Sequence, residues 1–163
     1  MVSQSKTMRF SQTRKHSQLQ VSEDKKRVGF GSGSRVIRNI MGEDPLLPEN
    51  VYTWKLWYQG NTNHLLVGVI DESKFSVEGR CHDDAHCYSS HNQAFGCLSG
   101  SKTKWNPGEL LEITVDLINY KLTIECVGSS SIYLSGTLPR LSSGNYYPFA
   151  RLYFSDHVLD VVE

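Results

Sequence analysis

The feature that most constrains the fold is an alternation of side chains over Val51–Gln59, followed by an apolar run at Leu65–Ile70. A repeat of two residues is typical of a strand with one buried face. The run Leu65–Ile70 is apolar throughout, as in a strand covered on both faces. Turn-forming residues at Gly60–Asn63 separate the two segments. We therefore predict two neighbouring strands of an all-β core. The alternating apolar positions are Tyr52, Trp54, Leu56 and Tyr58.

Further strands are predicted on both sides of this pair. Leu19–Phe30 alternates around a turn at Ser22–Lys25 and predicts a hairpin. Leu111–Leu117 and Lys121–Glu125 predict a second hairpin, because apolar residues alternate on either side of Asn119 and Tyr120. The remaining predicted strands are Gln93–Ser99, Ile132–Leu134, Tyr147–Tyr153 and Val158–Val162.

Several of these segments resemble the SPRY domain family. The order Tyr-x-Trp-x-Leu, a short loop and Val-Gly-Val-Ile-Asp-Glu, within Val51–Glu72, resembles the centre of a SPRY domain. Leu19–Val28, with Leu-x-Val-Ser-Glu-Asp and then basic residues, resembles the PRY segment that precedes many SPRY domains. Pro107–Ile124 and Tyr147–Tyr153 resemble the second half of the domain. The resemblance covers about Leu19–Val162 and implies a two-sheet antiparallel β-sandwich of the SPRY type.

The sequence also departs from the family pattern. The Asn-Gly usually found after the Leu-x-Phe strand is replaced by Cys126–Ser129. Lys55 and Leu56 stand where the family commonly has an acidic residue and Val. The resemblance therefore marks a divergent member and leaves the class of ligand open.

The chain length is that of one domain. We expect residues 1–16 to be a flexible basic leader, or a peptide laid over the domain and anchored by Phe10. Residues 17–163 are then a single PRY–SPRY-like domain. Met1–Gly42 holds nine basic and two acidic residues, whereas the remainder holds eight and fifteen. We expect the first strands to pack against this acidic remainder, with a basic arm that contacts phosphates as the alternative.

The composition excludes several classes of protein. No apolar run exceeds the six residues of Leu65–Ile70, so we expect no membrane span, and Met1–Met8 lacks the apolar stretch of a signal peptide. The four cysteines are then expected to be reduced thiols. We expect an intracellular, cytoplasmic and monomeric protein that has no membrane partner.

No segment predicts catalysis. Gly29–Ser34 has glycines without the spacing of a dinucleotide site and is expected to be a flexible turn. Gly96–Gly100 is displaced by one position from a nucleophile elbow, and strands surround it. Cys81, Cys87 and Cys97 lie near histidines in sequence, which does not establish a catalytic geometry. We expect no enzyme activity and no cofactor.

The segment Ser73–Asn92 is predicted to be irregular and is rich in cysteine, histidine and aspartate side chains. If it were helical, His82 and His86 would share a face beside Cys81 and Cys87, and these four residues could bind zinc. Their arrangement as adjacent Cys-His and His-Cys pairs argues against a shared ion, and we predict no metal site. A solvated loop and a partner-binding loop are the alternatives.

The resemblance implies an intracellular protein-interaction module that binds a peptide or protein through loops at one edge of the sandwich, as in the substrate-targeting domain of a ubiquitin ligase or a signalling protein. Trp57 is expected to be buried against the N-terminal segment or to belong to an exposed apolar patch. The residues carried over as partner-binding are Ser73, Lys74, Phe75, Arg80, His82, Asp83, Asp84, His86, Tyr88, Tyr153, Phe154 and Ser155.

Two other functions remain open. The first is sensing of a small anionic ligand or of zinc by a loop that carries one arginine and three histidines. The second is binding of nucleic acid by the basic residues of the first strands, which we do not expect because the net charge is zero. The sensing residues are Arg80, His82, His86 and His91. The basic residues are Arg9, Arg14, Lys15, Lys25, Lys26 and Arg27.

Overall fold

The chain forms two β-sheets that pack face to face. The computed structural model describes residues 2–3, 8–30 and 35–163. The first sheet contains β1 (Val2–Ser3), β3 (Leu19–Val21), β4 (Arg27–Phe30), β6 (Asn50–Gln59), β10 (Ser99–Ser101), β11 (Leu111–Asp116), β12 (Lys121–Cys126), β13 (Tyr133–Thr137) and β15 (Val158–Val162). The second contains β2 (Phe10–Lys15), β5 (Arg38–Gly42), β7 (Leu66–Asp71), β8 (His86–Ser89), β9 (Gln93–Phe95) and β14 (Tyr146–Leu152).

The strand order follows from the pairing registers. The first sheet runs β10-β13-β12-β11-β6-β15-β4-β3, with the short β1 paired in parallel to the start of β6. The second sheet runs β2-β5-β14-β7-β8-β9. The other pairs are antiparallel, and the predicted two-sheet antiparallel β-sandwich is confirmed. The predicted hairpins are present as β3–β4 and β11–β12.

The two strands that we predicted to be neighbours lie in different sheets. β6 pairs with β11 and β15 in the first sheet, whereas β7 pairs with β14 and β8 in the second. The intervening loop therefore crosses from one sheet to the other. The prediction was wrong on this point because a repeat of two residues identifies a strand but not its partner.

The core has one main layer and one smaller layer. The main layer fills the space between the sheets and includes Trp54, Leu56 and Tyr58 from β6. The smaller layer lies on the outer face of the second sheet, where the segment after β7 packs against Leu66 and Phe149. All seven residues of β14 are buried as a result. This second layer fixes the loop that the sequence predicted to bind a partner.

Part of the expected leader belongs to the folded domain. Phe10–Lys15 forms β2 at the edge of the second sheet, the Phe10 side chain is buried, and its amide donates to the Lys25 carbonyl at 2.9 Å. This matches the alternative of a peptide anchored by Phe10, because an aromatic side chain at this position fills the core. Residues 1 and 4–7 of the leader, and residues 31–34 of the predicted turn, lie outside the described residues.

The basic residues of the first strands contact the acidic remainder. Arg9 and Lys26 both reach the Glu163 carboxylate, at 2.6 and 3.0 Å. Lys25 pairs with Glu43. Each of these surface pairs contributes little to stability, but together they offset part of the excess positive charge of the first strands. Arg27 likewise pairs with Asp160 at 2.7 Å, and Arg14 lies 3.7 Å from Glu72.

The segment Ser73–Asn92 is more regular than predicted. It contains two short 3-10 helices, Glu72–Lys74 and Cys81–Asp84, and then β8, which pairs with β7. The sequence does not predict β8, because His86–Ser89 is short and mostly polar. In the structure most of this strand is buried, with the main core layer on one face and the second core layer on the other. Over residues 2–3, 8–30 and 35–163, no helix is long and apolar enough to cross a membrane.

Candidate functional site

Four aromatic rings from three loops meet at one end of the sandwich. The His64 ring lies 4.7 Å from His91, 5.0 Å from Tyr153 and 6.0 Å from Phe154, measured between centroids. Tyr153 and Phe154 are themselves 5.0 Å apart and nearly perpendicular. We call His64, His91, Tyr153 and Phe154 the aromatic end cluster. Its tyrosine and phenylalanine are half-buried, so each is partly accessible to solvent.

A buried histidine fixes the loop that carries Tyr153 and Phe154. The His157 Nδ1 atom accepts hydrogen bonds from both of their amides, at 3.1 and 3.2 Å. Nε2 must then carry the ring proton, and it donates to the Asn61 carbonyl at 2.8 Å. Burial lowers the pKa of His157, which favours this neutral form. The ring thus links the loop after β14 to the loop after β6.

Close backbone contact holds the same two loops together. Gly60 has a φ of +109°, and a Cβ atom there would lie 2.4 Å from the Asp156 carbonyl oxygen. Only glycine fits this contact without displacing the backbone. The loop that presents His64 is therefore fixed against the loop that presents Phe154, and the cluster is preformed.

The two histidines of the cluster are joined by their hydrogen bonds. The His91 Nδ1 atom lies 2.7 Å from the Ser89 hydroxyl and accepts from the His64 amide at 3.2 Å. The pKa of His64 is lowered by burial, and by the nearby His91 and Arg151; burial and Arg151 also lower the pKa of His91. Both rings are neutral at physiological pH, and the cluster presents an aromatic surface.

Two arginines flank this surface. The Arg35 guanidinium lies 5.4 Å from the Phe154 ring centroid. Arg151, on β14, is 5% exposed and donates from Nη2 to the His64 carbonyl at 3.4 Å. Burial lowers the pKa of Arg151 to about 10, so it stays charged at pH 7. The cluster therefore combines neutral rings with positive charge beside and behind them.

Arg151 also links the cluster to the loop after β7. Its Nη1 atom lies 3.1 Å from Nδ1 of the buried His82 ring, and His82 stacks edge-on against Phe95. Burial, with a further contribution from Arg151, lowers the pKa of His82 to about 4. The neighbouring Asp83 is exposed and accepts from Arg80 Nε at 3.3 Å. Arg80 and Asp83 are thus connected to the cluster through His82 and Arg151.

Two residues predicted to bind a partner are inaccessible. Tyr88 is fully buried in the main core, where its hydroxyl donates to the Thr103 carbonyl. His82 is 2% exposed and contacts Arg151. The prediction is corrected for both, because Tyr88 packs in the main core layer and His82 packs against Arg151 and Phe95. His86 is half-buried, and its Nδ1 atom accepts from the Cys97 amide at 2.9 Å.

The structure separates the other predicted residues into two groups. Tyr153, Phe154 and the exposed Ser155 lie after the C-terminal end of β14. The exposed Ser73 and Lys74 follow the C-terminal end of β7, which pairs with the N-terminal end of β14. These ends are the two ends of the seven-residue β14, about 20 Å apart at 3.4 Å per residue. Phe75 is also distant, since it packs edge-on against Phe149 at 6.5 Å.

Sequence analysis missed several residues of the site. Arg151 was predicted only as part of a strand, and no role was predicted for Arg35 or His64. Their role depends on contacts between segments far apart in sequence. His157 carried one usable signal, because a histidine three residues after an aromatic pair can accept from the backbone of the same turn. Trp57 was expected either to be buried against the N-terminal segment or to belong to an exposed apolar patch, and it is half-buried.

The four candidate zinc ligands are each engaged elsewhere. The Cys81 thiol lies 3.3 Å from Asn39 Nδ2, and that of Cys87 lies 4.0 Å from the His82 carbonyl. Burial raises the pKa of both thiols and so disfavours the thiolate that a metal requires. His82 and His86 are held by Arg151 and Cys97, so these residues do not fit a metal site. Within residues 8–30 and 35–163, no group of three His, Cys, Asp or Glu side chains could hold an ion.

Comparison with known proteins identifies the fold. No protein-family model and no curated protein matches the sequence. The structure is similar to the SPRY domain of human HERC1, with a TM-score of 0.73 and 14% identity, over 94% of this chain and 97% of that one. It is similar to the TRIM65 PSpry domain, with a TM-score of 0.69 and 13% identity, over 96% and 90%.

A third similarity is to a longer protein. Stonustoxin matches with a TM-score of 0.64 and 15% identity, over 95% of this chain but only 27% of the toxin chain. The first two matches span nearly the whole of both chains. The fold implied by the sequence resemblance is thereby confirmed: this chain has the SPRY-domain fold.

Proposed function

We propose that this chain is a protein-interaction module, and that it recognises a peptide or a folded partner through the aromatic end cluster. The observation that supports this most is the preformed group of half-buried and exposed rings carried by three loops. Aromatic residues and arginine are enriched among the residues that dominate binding energy at protein interfaces. Loops on a rigid sandwich are a common place for such residues.

The chemistry of the cluster defines the partner that fits it. Tyr153 and Phe154 provide apolar contact area, and Arg35 lies over the Phe154 ring. The positive charges of Arg35 and Arg151 favour a carboxylate on the partner. We propose a partner segment that presents an apolar or aromatic side chain next to an acidic one.

A non-catalytic role is consistent with the state of the cysteines. A cysteine nucleophile requires a lowered pKa, whereas burial raises the pKa of Cys81, Cys87 and Cys97. The His86 Nδ1 atom nearest Cys97 accepts from its amide and is not paired with its thiol. We therefore propose that the chain binds a partner without catalysing a reaction, and that it is a cytoplasmic monomer. The finer role of targeting substrates for a ubiquitin ligase or a signalling protein rests on the family resemblance.

A capture experiment with matched variants tests this proposal. The wild type, a Tyr153→Ala/Phe154→Ala double variant and a Tyr133→Ala control are used to capture proteins from cell lysate. Tyr133 is 46% exposed on β13, in the other sheet, so its loss removes a similar surface ring elsewhere. We expect the wild type and Tyr133→Ala to retain the same partners, and the double variant to lose them at an unchanged melting temperature. Equal capture by all three would refute the proposal.

A further inference from the structure

Two imidazole rings accept the backbone hydrogen bonds that hold the aromatic end cluster together. His157 Nδ1 accepts from the amides of Tyr153 and Phe154, at 3.1 and 3.2 Å. His91 Nδ1 accepts from the amide of His64 at 3.2 Å. All three amides belong to residues of the cluster itself. The arrangement of its rings therefore depends on two imidazole nitrogens that each supply a lone pair.

An imidazole nitrogen accepts a hydrogen bond only while it carries no proton. A ring that takes up a second proton has an N–H group on both nitrogens and can only donate. Its Nδ1–H would then point at the amide N–H that it now binds. At His157 one proton would remove the acceptor of two amides at once. Protonation of either ring is thus incompatible with the closed arrangement of the loops.

His157 can gain a proton only when the loops around it separate. The residue is fully buried, and its Nε2 atom donates to the Asn61 carbonyl at 2.8 Å. Burial is the main cause of its lowered pKa; the Asn61 carbonyl and Asp156 favour the charged ring, whereas His64 and Arg151 oppose it. Uptake of a proton is therefore linked to opening of the two loops that this ring joins.

His91 is held in the same way on the loop after β8. Burial is again the main cause of its lowered pKa, Arg151 and Lys104 add to it, and Gln93 opposes it. The His64 ring, which can also take up a proton, lies 4.7 Å away between centroids. A positive charge on His91 would thus meet positive groups from β14 and from two loops.

Further positive charge lies against the loop of Tyr153 and Phe154. Arg38, on β5, donates to the Tyr153 carbonyl at 3.3 Å, and the Arg35 guanidinium lies 5.4 Å from the Phe154 ring centroid. A proton on His157 adds to this charge. Because the folded protein holds the proton less tightly than a free histidine of pKa 6.5, the closed arrangement is favoured above that value and weakens as the pH falls below it.

We propose that His157 and His91 are proton-sensitive positioning residues, which hold the aromatic end cluster closed at neutral pH and release it in acid. This inference rests on the proposed function, because it makes binding of the partner at this surface dependent on pH. A partner that is bound at neutral pH dissociates when the two loops lose their imidazole acceptors. His82, by contrast, contacts the Arg151 side chain and acts on the stability of the whole domain.

Nuclear magnetic resonance of the isotope-labelled full chain tests the inference without a partner. Exchange of the His64, Tyr153 and Phe154 amides is measured from pH 7.5 to 4.5, relative to an unstructured peptide at the same pH. We expect their protection to fall at least about tenfold, at the pH where the nitrogen signals of the His157 ring show protonation. The amides of β12, which is paired on both sides, should stay protected.

Asparagine variants separate the roles of the two histidines. The asparagine Oδ1 atom can replace Nδ1 as an acceptor but takes up no proton. We expect His157→Asn to keep the amides of Tyr153 and Phe154 protected at pH 4.5, while that of His64 still loses protection. His91→Asn should show the reverse. If a variant loses its hydrogen bonds already at pH 7.5, the coincidence of ring protonation and amide exchange in the wild type decides.

Three results would overturn the inference. The first is protection of all three amides in the wild type down to pH 4.5. The second is an equal loss in acid by the wild type and by asparagine variants that retain the bonds at pH 7.5. The third is a loss that occurs only together with the amides of β12, since this would be unfolding of the whole domain.

Capture of partners is measured separately, so that the two proposals can fail independently. Proteins captured through Tyr153 and Phe154 at pH 7.5 are washed at acid pH. We expect the wild type to release them and a His91→Asn/His157→Asn double variant to retain them. Retention by the wild type would overturn the inference. Absence of capture at pH 7.5 would instead refute the proposed function and leave the result for the amides unchanged.

Discussion

Replacement of His82 by glutamine should reduce the loss in the free energy of unfolding that the protein shows at acid pH. His82 is buried against Arg151, which lowers its pKa from 6.5 to about 4. The histidine of the unfolded chain takes up a proton near pH 6.5, whereas the folded protein takes it up only near pH 4. The unfolded state thus binds more protons between these values, so the free energy of unfolding falls as the pH falls through this window.

The size of the effect follows from the two pKa values. One pKa unit corresponds to 1.36 kcal/mol, so at pH 4.5 His82 alone lowers the free energy of unfolding by about 2.5 kcal/mol relative to pH 7.5. This is an upper figure, since local rearrangement would relieve part of the repulsion from Arg151. Glutamine cannot take up this proton, and its carbonyl can still accept from the Arg151 guanidinium.

Urea unfolding at pH 7.5 and 4.5 measures the difference directly. We expect wild type to lose about 2.5 kcal/mol more than His82→Gln between the two conditions. Carboxylates and the other five histidines titrate in both proteins and cancel in this comparison. His64→Gln is the comparison variant, because Arg151 contacts the backbone carbonyl of His64 and the ring itself is exposed, so this variant should lose more than His82→Gln. Equal losses for wild type and His82→Gln would refute the reasoning.

Three further changes test other parts of the structure by their effect on the free energy of unfolding. Gly60→Ala should cost more than about 1 kcal/mol, because the added Cβ meets the Asp156 carbonyl at a positive φ; a neutral result would contradict the close contact of the loops. Tyr58→Phe should cost about 1–3 kcal/mol, because it leaves the buried Trp105 carbonyl without its donor, whereas Tyr133→Phe should cost nothing measurable. Phe10→Ala should cost about 3–5 kcal/mol if β2 is part of the core; a cost below about 1 kcal/mol would show that Phe10 belongs to a loose leader.

The strands were predictable where one face alone is buried. Alternation located β6, β11 and β12, since their inward and outward side chains differ in polarity. It failed for β5, where Arg38 and Asn39 are buried with Ile40 and Met41. It also missed β2, whose polar residues follow the buried Phe10 at a sheet edge. In both strands, burial depends on a neighbouring segment that the local sequence does not reveal.

The candidate site was predictable only in part, for the same physical reason. Tyr153 and Phe154 lie at the end of a strand that was recognisable from the sequence as Tyr147–Tyr153, and this strand ends at Leu152 in the structure. Which residues surround them depends on the pairing of β7 with β14, which brings Leu66 opposite Arg151 and Asp71 opposite Tyr146. That register places His64 next to the cluster and moves Ser73 and Lys74 to the opposite end.

The neutrality of His82 connects the stability of the domain with its proposed surface. Arg151 contacts His82 on one side and the loop of His64 on the other. Protonation of His82 would place two positive charges about 3 Å apart, and the repulsion acts on the residue that holds the cluster from behind. Since Arg151 is buried and fixed, it avoids this repulsion only while the rings around it stay neutral. The same burial that makes the domain sensitive to acid is therefore what keeps the aromatic end cluster in order at neutral pH.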